Sequence, residues 1–326
     1  MPMQAAALIV LAFSLALAPA HGADPSAISS RSVYRSAPLA RGPQNHLLLQ
    51  ARANGQPITF LLDTGADLSF LRADRARQFG VRLLGREGRS SGHSFPLGAV
   101  PDLEAGGVPL GESAFALYEI AQVGAAVPGQ IGKEADGLLG LDLLRRLEAV
   151  IDCRAKRILF KTDPAARLGL ENTTRAMGFT RIPIVEERRG YLTVPCVLRG
   201  RAGRLVLDTG SFVTALDDQA VRAVHLTTRP SPLTARGLEG RVRPIGLTNV
   251  DDLKIGGLRI APQPLAVMDL FGKNKPRRAY TGINRIELYS AARGPSGERL
   301  FGLLGNELLD QRRAIIDLGS MSLFLK

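Results

Sequence analysis

The chain has no tryptophan, two cysteines and four histidines among its 326 residues. Each shortage removes a class of function. Aromatic residues make up 5% of the sequence and are not interleaved with the basic ones, so nucleic acid is not an expected partner despite a net charge of +12. Past the N-terminal leader the histidines are His46, His93 and His225, far apart and without cysteine or carboxylate at ligand spacing. A zinc hydrolase is therefore not expected, and no metal or organic cofactor is called for. Cys153 and Cys196 are too few for a disulfide scaffold. They either pair, closing a loop of about 43 residues, or remain two buried thiols. Gly92-His93-Ser94 and Gly111-Glu112-Ser113 both miss the G-x-S-x-G turn of serine hydrolases.

Lysine is also scarce, seven against 35 arginines. The scattered positive charge would favour anionic envelope surfaces or acidic peptides. No apolar run reaches transmembrane length. The longest, Ala5 to Ala18, is followed by Ala18-Pro19-Ala20, an A-x-A-type cleavage site, although no Lys or Arg precedes it. Residues 1–23 read as a signal peptide for export to the periplasm or the medium, with an uncleaved N-terminal membrane anchor as the second reading.

What the chain does have is a copy of itself. At a shift of 145 residues Asp63 falls on Asp208, Gly55 on Gly200, and Leu47–Ala51 on Leu192–Cys196. At a shift of 150, Leu103–Val108 falls on Leu253–Leu258. At 165, Gly137-Leu138-Leu139-Gly140 falls on Gly302-Leu303-Leu304-Gly305 and Val150-Ile151-Asp152 on Ile315-Ile316-Asp317. Four matched blocks in one order make a duplication. The growth of the shift places an insertion between Leu270 and Arg299, read as a surface excursion. The halves join near Thr162 to Ala176, giving lobes 24–165 and 166–326. Short apolar runs bounded by Gly, Pro or Asn54-Gly55 predict strands and hairpins. Brief helices are predicted over Ala73–Phe79, Leu141–Leu147, Asp217–Val224 and Glu307–Arg312. The fold class is all-β: two pseudo-symmetric, barrel-like lobes with few short helices.

Within each half an apolar run ends in Asp-Thr-Gly: Phe60-Leu61-Leu62-Asp63-Thr64-Gly65-Ala66 and Leu205-Val206-Leu207-Asp208-Thr209-Gly210-Ser211. A single copy arises by chance in about one chain of this length in fifteen; two at matched positions do not. Asp supplies a carboxylate, Gly lets the backbone turn an N–H toward it, and the Thr hydroxyl can hold the opposite loop. Two carboxylates at contact distance cannot both ionise, so the pair holds one proton and can act as base and acid on one water.

These motifs, with Leu138-Leu139-Gly140 and Leu303-Leu304-Gly305, resemble those of the pepsin-like and retropepsin-like aspartic proteases, in a bacterial, two-lobed, single-chain form. The likeness spans about Asn45 to Leu325. It implies a monomeric aspartic endopeptidase acting on peptide or protein. Asp63 and Asp208 would be catalytic, and Thr64, Gly65, Thr209, Gly210 and Ser211 would support them. The alternative is a catalytically silent peptide-binding or scaffolding protein of the same fold. A flap is implied over Arg86–Leu97, with Gly88, Gly92 and Phe95 but no Tyr. Its counterpart, Ala235–Gly246, holds Gly240 and Arg236, Arg241 and Arg243. Those arginines read as a solvated basic loop, with selection of acidic substrates as the alternative. Ala66, where the pepsin form has Ser, lacks a hydroxyl that would stabilise the ionised pair, so activity is expected at milder pH than in gastric enzymes. Asp67 follows Ala66, but Leu141 and Asp142 follow Gly140, so the retroviral acid–Arg pairing is not reproduced. Asp152 and Asp317 lack the Thr-Gly turn and read as strand-end residues.

Overall fold

A computed structural model describes residues 34–326 except 44, 91–92, 119–134, 164, 166–167, 188–190, 237–241, 272–276, 282–283 and 289–297. The expected signal peptide at 1–23 lies outside the described residues. No helix among them is long and apolar enough to cross a membrane.

The first half runs β1 (Tyr34–Arg41), β2 (Leu47–Ala53), β3 (Gln56–Leu62), β4 (Phe70–Arg72), α1 (Ala73–Ala76), β5 (Arg82–Ser90) and β6 (His93–Ala105). It continues with β7 (Val108–Tyr118), β8 (Gly137–Leu139), α2 (Leu141–Arg146), β9 (Val150–Asp152) and β10 (Arg157–Lys161). The second half opens with α3 (Leu170–Ala176), β11 (Thr180–Pro183), β12 (Val185–Glu186), β13 (Leu192–Leu198) and β14 (Arg201–Leu207). Next come β15 (Ala215–Asp217), α4 (Asp218–Ala223), β16 (Arg229–Arg236), β17 (Val242–Val250), β18 (Leu253–Ile255), β19 (Leu258–Ile260) and β20 (Gln263–Met268). Last are β21 (Arg277–Thr281), β22 (Asn284–Leu288), β23 (Leu300–Leu304), α5 (Asn306–Gln311), β24 (Ile315–Asp317) and β25 (Ser322–Leu325). The result is the expected all-β architecture with short helices.

Six strands close the first lobe: β2-β3-β8-β4-β7-β6, with β6 returning to pair β2. The second lobe repeats this order through β13, β14, β23, β15, β20 and β17, except that the counterpart of β6 breaks after Val250 into β17 and β18. In both lobes the strand that ends at the aspartate runs parallel to the apolar-Gly strand, β3 with β8 and β14 with β23. The alternating burial of β2 explains why it is a strand: its first residues face the core and Gln50 and Arg52 face out. Asn54-Gly55 closes its hairpin with both φ angles positive, 49° and 78°, the geometry a two-residue primed turn requires. Arg199-Gly200 does the same in the repeat, at 46° and 75°, although Arg gives no such signal in sequence.

Strands from both halves also share one sheet, in the order β11-β25-β24-β9-β10-β1. At its centre β9 and β24 are antiparallel, with Ile316 opposite Ile151, Ile315 opposite Asp152 and Asp317 opposite Val150. These are the residues matched by the repeat, so an approximate two-fold axis passes between the two isoleucines. Both are fully buried, in a core that also takes in Phe60, Leu62 and Leu139 from the first half and Leu207 and Leu304 from the second.

Two local expectations change, and the open choice for the cysteines is decided. Helix α1 stops at Ala76, short of Phe79. The segment joining the halves is not merely an interruption but carries α3, where Thr174 Oγ1 bonds back to Leu170 O. Cys153 and Cys196 are both free and buried, and burial pushes each thiol up to about 12. In the insertion, β21 and β22 hydrogen-bond only to one another among the described residues.

Ile316→Ala should lower the unfolding free energy by about 2–5 kcal/mol, the usual cost of emptying a buried aliphatic site. Urea unfolding followed by circular dichroism should show this as a single shifted transition. Two separate transitions would mean that the shared sheet does not couple the halves.

Candidate active site

Each aspartate sits where a buried strand stops and a tight turn begins. Asp63 N–H donates to Leu139 O and Asp208 N–H to Leu304 O, both at 3.0 Å, so the parallel apolar-Gly strand fixes each turn's start. Gly65 N–H then donates to Asp63 Oδ1 at 2.8 Å, and Gly210 N–H to Asp208 Oδ1 at 2.9 Å. Gly140 and Gly305 follow the strands in extended backbone. A Cβ at either would collide with the carbonyl of Leu68 or Val213 in the neighbouring loop. That contact is why the segment needs glycine.

The loops meet through their threonines. Thr64 N–H donates to Thr209 Oγ1 and Thr209 N–H to Thr64 Oγ1, each at 3.0 Å. The hydroxyls donate onward to the carbonyl ahead of the opposite aspartate, Thr64 to Leu207 O at 2.8 Å and Thr209 to Leu62 O at 2.9 Å. All four bonds are buried. They bring the carboxyl of Asp63 against the Cα of Gly210, where any side chain would overlap it. Asp63 and Asp208 are each 0% exposed. Asp208 is held well above the usual carboxylate range, first by burial and then by the charge of Asp63, to which it also hydrogen-bonds. The sequence-predicted residues Asp63, Thr64, Gly65, Asp208, Thr209 and Gly210 thus form one cluster.

Ser211 Oγ donates to Val213 O at 2.8 Å, while its backbone N–H bonds Asp208 and favours the charged carboxylate. Burial and the facing charge of Asp63 are the larger influences on Asp208 and raise it.

Four side chains around the loops were not identified from sequence. Ser69 Oγ receives the Gly140 N–H and donates to Asp142 Oδ1 at 2.6 Å. Thr214 Oγ1 receives the Gly305 N–H, while Glu307 accepts from Thr214 N–H. Ser69 matches Thr214 at the 145 shift and Asp142 matches Glu307 at 165, so the repeat held the signal. Burial raises both acids. Two further side chains differ in type from the residues at their matched positions, Leu141 and Tyr191. Asn306 Nδ2 donates to Thr209 O at 2.6 Å, and His46 Nε2 lies 3.1 Å from Gly210 O.

Of the flap residues, Gly88 and Phe95 are opposed in the β5–β6 hairpin. A Cβ on Gly88 would sit 2.8 Å from Leu97 and 3.2 Å from Leu68. Phe95 meets Phe70 edge-on at 5.1 Å, and Ser90 Oγ donates to Asp67 Oδ1 at 2.5 Å. Asp67 therefore ties the hairpin to the first loop, where the retroviral pattern would use an Arg. Gly92, Gly240 and Arg241 lie outside the described residues, as do the side chains of Arg236 and Arg243. β16 and β17 do form the second hairpin.

Asp152 and Asp317 hold turns, accepting from Ala155 N–H and from Gly319 and Ser320 N–H respectively. The carboxylates of Asp217, Asp218 and Asp269 approach within 4.8 Å. Asp217, however, accepts from Gln219, Leu270 and Phe271 N–H, and Asp218 pairs with Arg222. This cluster ties α4 to the loop after β20.

The sequence model of the aspartyl protease family matches residues 49–143 and 194–308, which takes in both loops, both apolar-Gly segments and both hairpins. Among solved structures the chain is similar to a retropepsin-like aspartic protease from Rickettsia conorii, at 20% identity over 39% of this chain and 91% of that one, with a TM-score of 0.28. It is also similar to Basic 7S globulin from soybean, at 12% identity over 90% of this chain and 94% of that one, with a TM-score of 0.45. Both are too distant to bear on what this chain does. No curated protein matches it.

Thr209→Val keeps the side-chain shape but leaves Thr64 N–H and Leu62 O without the Thr209 hydroxyl. At about 1–3 kcal/mol for each stranded buried group, the variant should lose about 2–6 kcal/mol in urea unfolding. A loss below about 1 kcal/mol would show that the loops are held together by other contacts.

Proposed function

The chain belongs to the aspartyl protease family, and from that premise we propose that it is an endopeptidase whose Asp63 and Asp208 activate one water between them. The observation that carries this reading is the pair itself: two fully buried carboxyls on loops locked together by their threonines, with Asp208 raised by burial and by the charge of Asp63. A pair in that state holds one proton.

The chemistry needs no covalent intermediate. The carboxylate of the pair takes a proton from water as the oxygen attacks the scissile carbonyl carbon, while the protonated partner gives its proton to the carbonyl oxygen. On collapse of the tetrahedral diol the newly protonated acid protonates the leaving amine and the other carboxylate takes back a hydroxyl proton, which restores the one-proton pair. The threonine bonds hold both acids in place beforehand, which is where positioning lowers the barrier. With both carboxyls closed off, substrate access requires the surroundings of the pair to open. Export, on the strength of residues 1–23, action as a monomer and independence from metals belong to the same proposal. The complete burial of the acids is also what favours a second reading, a two-lobed protein that binds peptide without cleaving it.

Incubation of the exported form with a mixed peptide library, read by mass spectrometry, separates the two. The wild type should cleave with or without a chelator, and Asp63→Asn and Asp208→Asn should each fall by at least about 10³-fold. Equal cleavage by those variants would exclude the pair. Retention of peptide without cleavage would establish the binding protein.

The pH profile follows from the raised carboxyl. Activity needs the shared proton, so kcat/KM should fall on the alkaline side only at a pH well above the ordinary aspartate value of about 3.9. Stability has a matching sign. The contribution of protonated Asp208 is full below about 3.9 and is lost as pH rises through its raised value, and Asp208→Asn should flatten that slope. A rate already halved at pH 4 would contradict the assignment.

A further inference from the structure

The second Asp-Thr-Gly loop is held by side chains that lie outside it. In the second loop the carbonyls of Thr209, Gly210 and Phe212 each accept from a side chain. Asn306 Nδ2 reaches Thr209 O at 2.6 Å, His46 Nε2 reaches Gly210 O at 3.1 Å, and Asn45 Nδ2 reaches Phe212 O at 3.4 Å. Two of these three donors come from the other lobe, from the turn between β1 and β2. That turn is braced. Arg41 donates to Asn45 O and Oδ1 and to Cys153 O, and pairs with Asp310 on α5 at 3.2 Å. Asn45 itself takes a left-handed φ of 66°, which asparagine tolerates better than most residues.

We propose that His46 is a positioning residue for the second catalytic carboxyl, acting through Gly210; this rests on the peptidase reading above. A carbonyl oxygen can only accept, so Nε2 carries the proton. That bond fixes the Gly210 carbonyl. The same residue's N–H is the donor to Asp208 Oδ1 at 2.9 Å, and its Cα is the surface against which Asp63 lies. One glycine therefore sets the placement of both acids, and glycine is the residue least able to hold its own conformation. His46 supplies the constraint that a side chain at 210 cannot, because there is no room for one.

The electrostatics agree with this arrangement. His46 is 7% exposed, and burial lowers its proton affinity. The bond to Gly210 needs only the neutral imidazole, whose Nε2–H donates without placing a charge beside the acids. The matched position in the repeat is Tyr191, packed in the core of its own lobe.

The test compares His46→Leu, which fills the space without a donor, with His46→Gln, whose amide nitrogen can replace Nε2. Peptide cleavage is measured with amide hydrogen exchange at Gly210, using Gly65 as the internal control. In His46→Leu, kcat should fall about 10–100-fold, the usual cost of a small misplacement of catalytic groups, with KM within about twofold. Exchange at Gly210 should quicken by at least about tenfold while Gly65 is unchanged. His46→Gln should restore both to within about threefold. Unchanged kcat in His46→Leu, a rise in KM alone, or a glutamine variant as poor as the leucine one would overturn the proposal. So would equal changes at Gly210 and Gly65, which would indicate general loosening of the fold. A wild type that cleaves nothing defeats the peptidase reading by itself. The exchange comparison then still decides whether His46 holds this loop: unchanged exchange at Gly210 overturns the proposal, and selective quickening reversed by glutamine supports it.

Discussion

The reciprocal bonds between Thr64 and Thr209 are the constraint from which the rest follows. Each threonine gives its hydroxyl to the far lobe's strand and its N–H to the far threonine's oxygen, so neither loop reaches its native shape alone. Burying two acids beside one another is unfavourable, because each is desolvated and each opposes the other's charge. The four threonine bonds, the glycine N–H groups and the parallel strands behind them offset that cost locally. A site of this kind exists only when both lobes are folded and docked.

Much of the site was legible because it is written twice. Asp63 and Asp208 stood out through the repeat, and the repeat also located Gly140 and Gly305, whose close approach to the neighbouring loop then explained their identity. Ser69 with Asp142, and Thr214 with Glu307, were equally available but are ordinary residues singly. They become a signal only once the 145 and 165 shifts are both applied. What could not be read were features that break the repeat. His46 and Gly210 are 164 residues apart, and no local pattern links them. The orientation of Ser211 is a rotamer choice, decided by the nearby Val213 carbonyl rather than by residue type. Helix α3 formed from Thr-rich sequence through its tertiary setting, against a weak local preference.

The interplay of symmetry and its loss runs through the whole molecule. The barrels, the glycine turns and the strand ends are paired. Several side chains around the two loops are not of matched type: Asn306 takes a leucine's place, His46 a tyrosine's, and Asp67 a phenylalanine's.

The antiparallel register of β9 against β24 has one more implication. Because equivalent residues face each other about the Ile151–Ile316 axis, the edge that joins the halves is self-complementary. A surface of that type is isologous: matched residues of the two halves supply both sides of the joint. The joint therefore needs no tether to be geometrically correct. The covalent link through α3 serves instead to keep two diverged halves together, so that each copy is free to change without losing its partner.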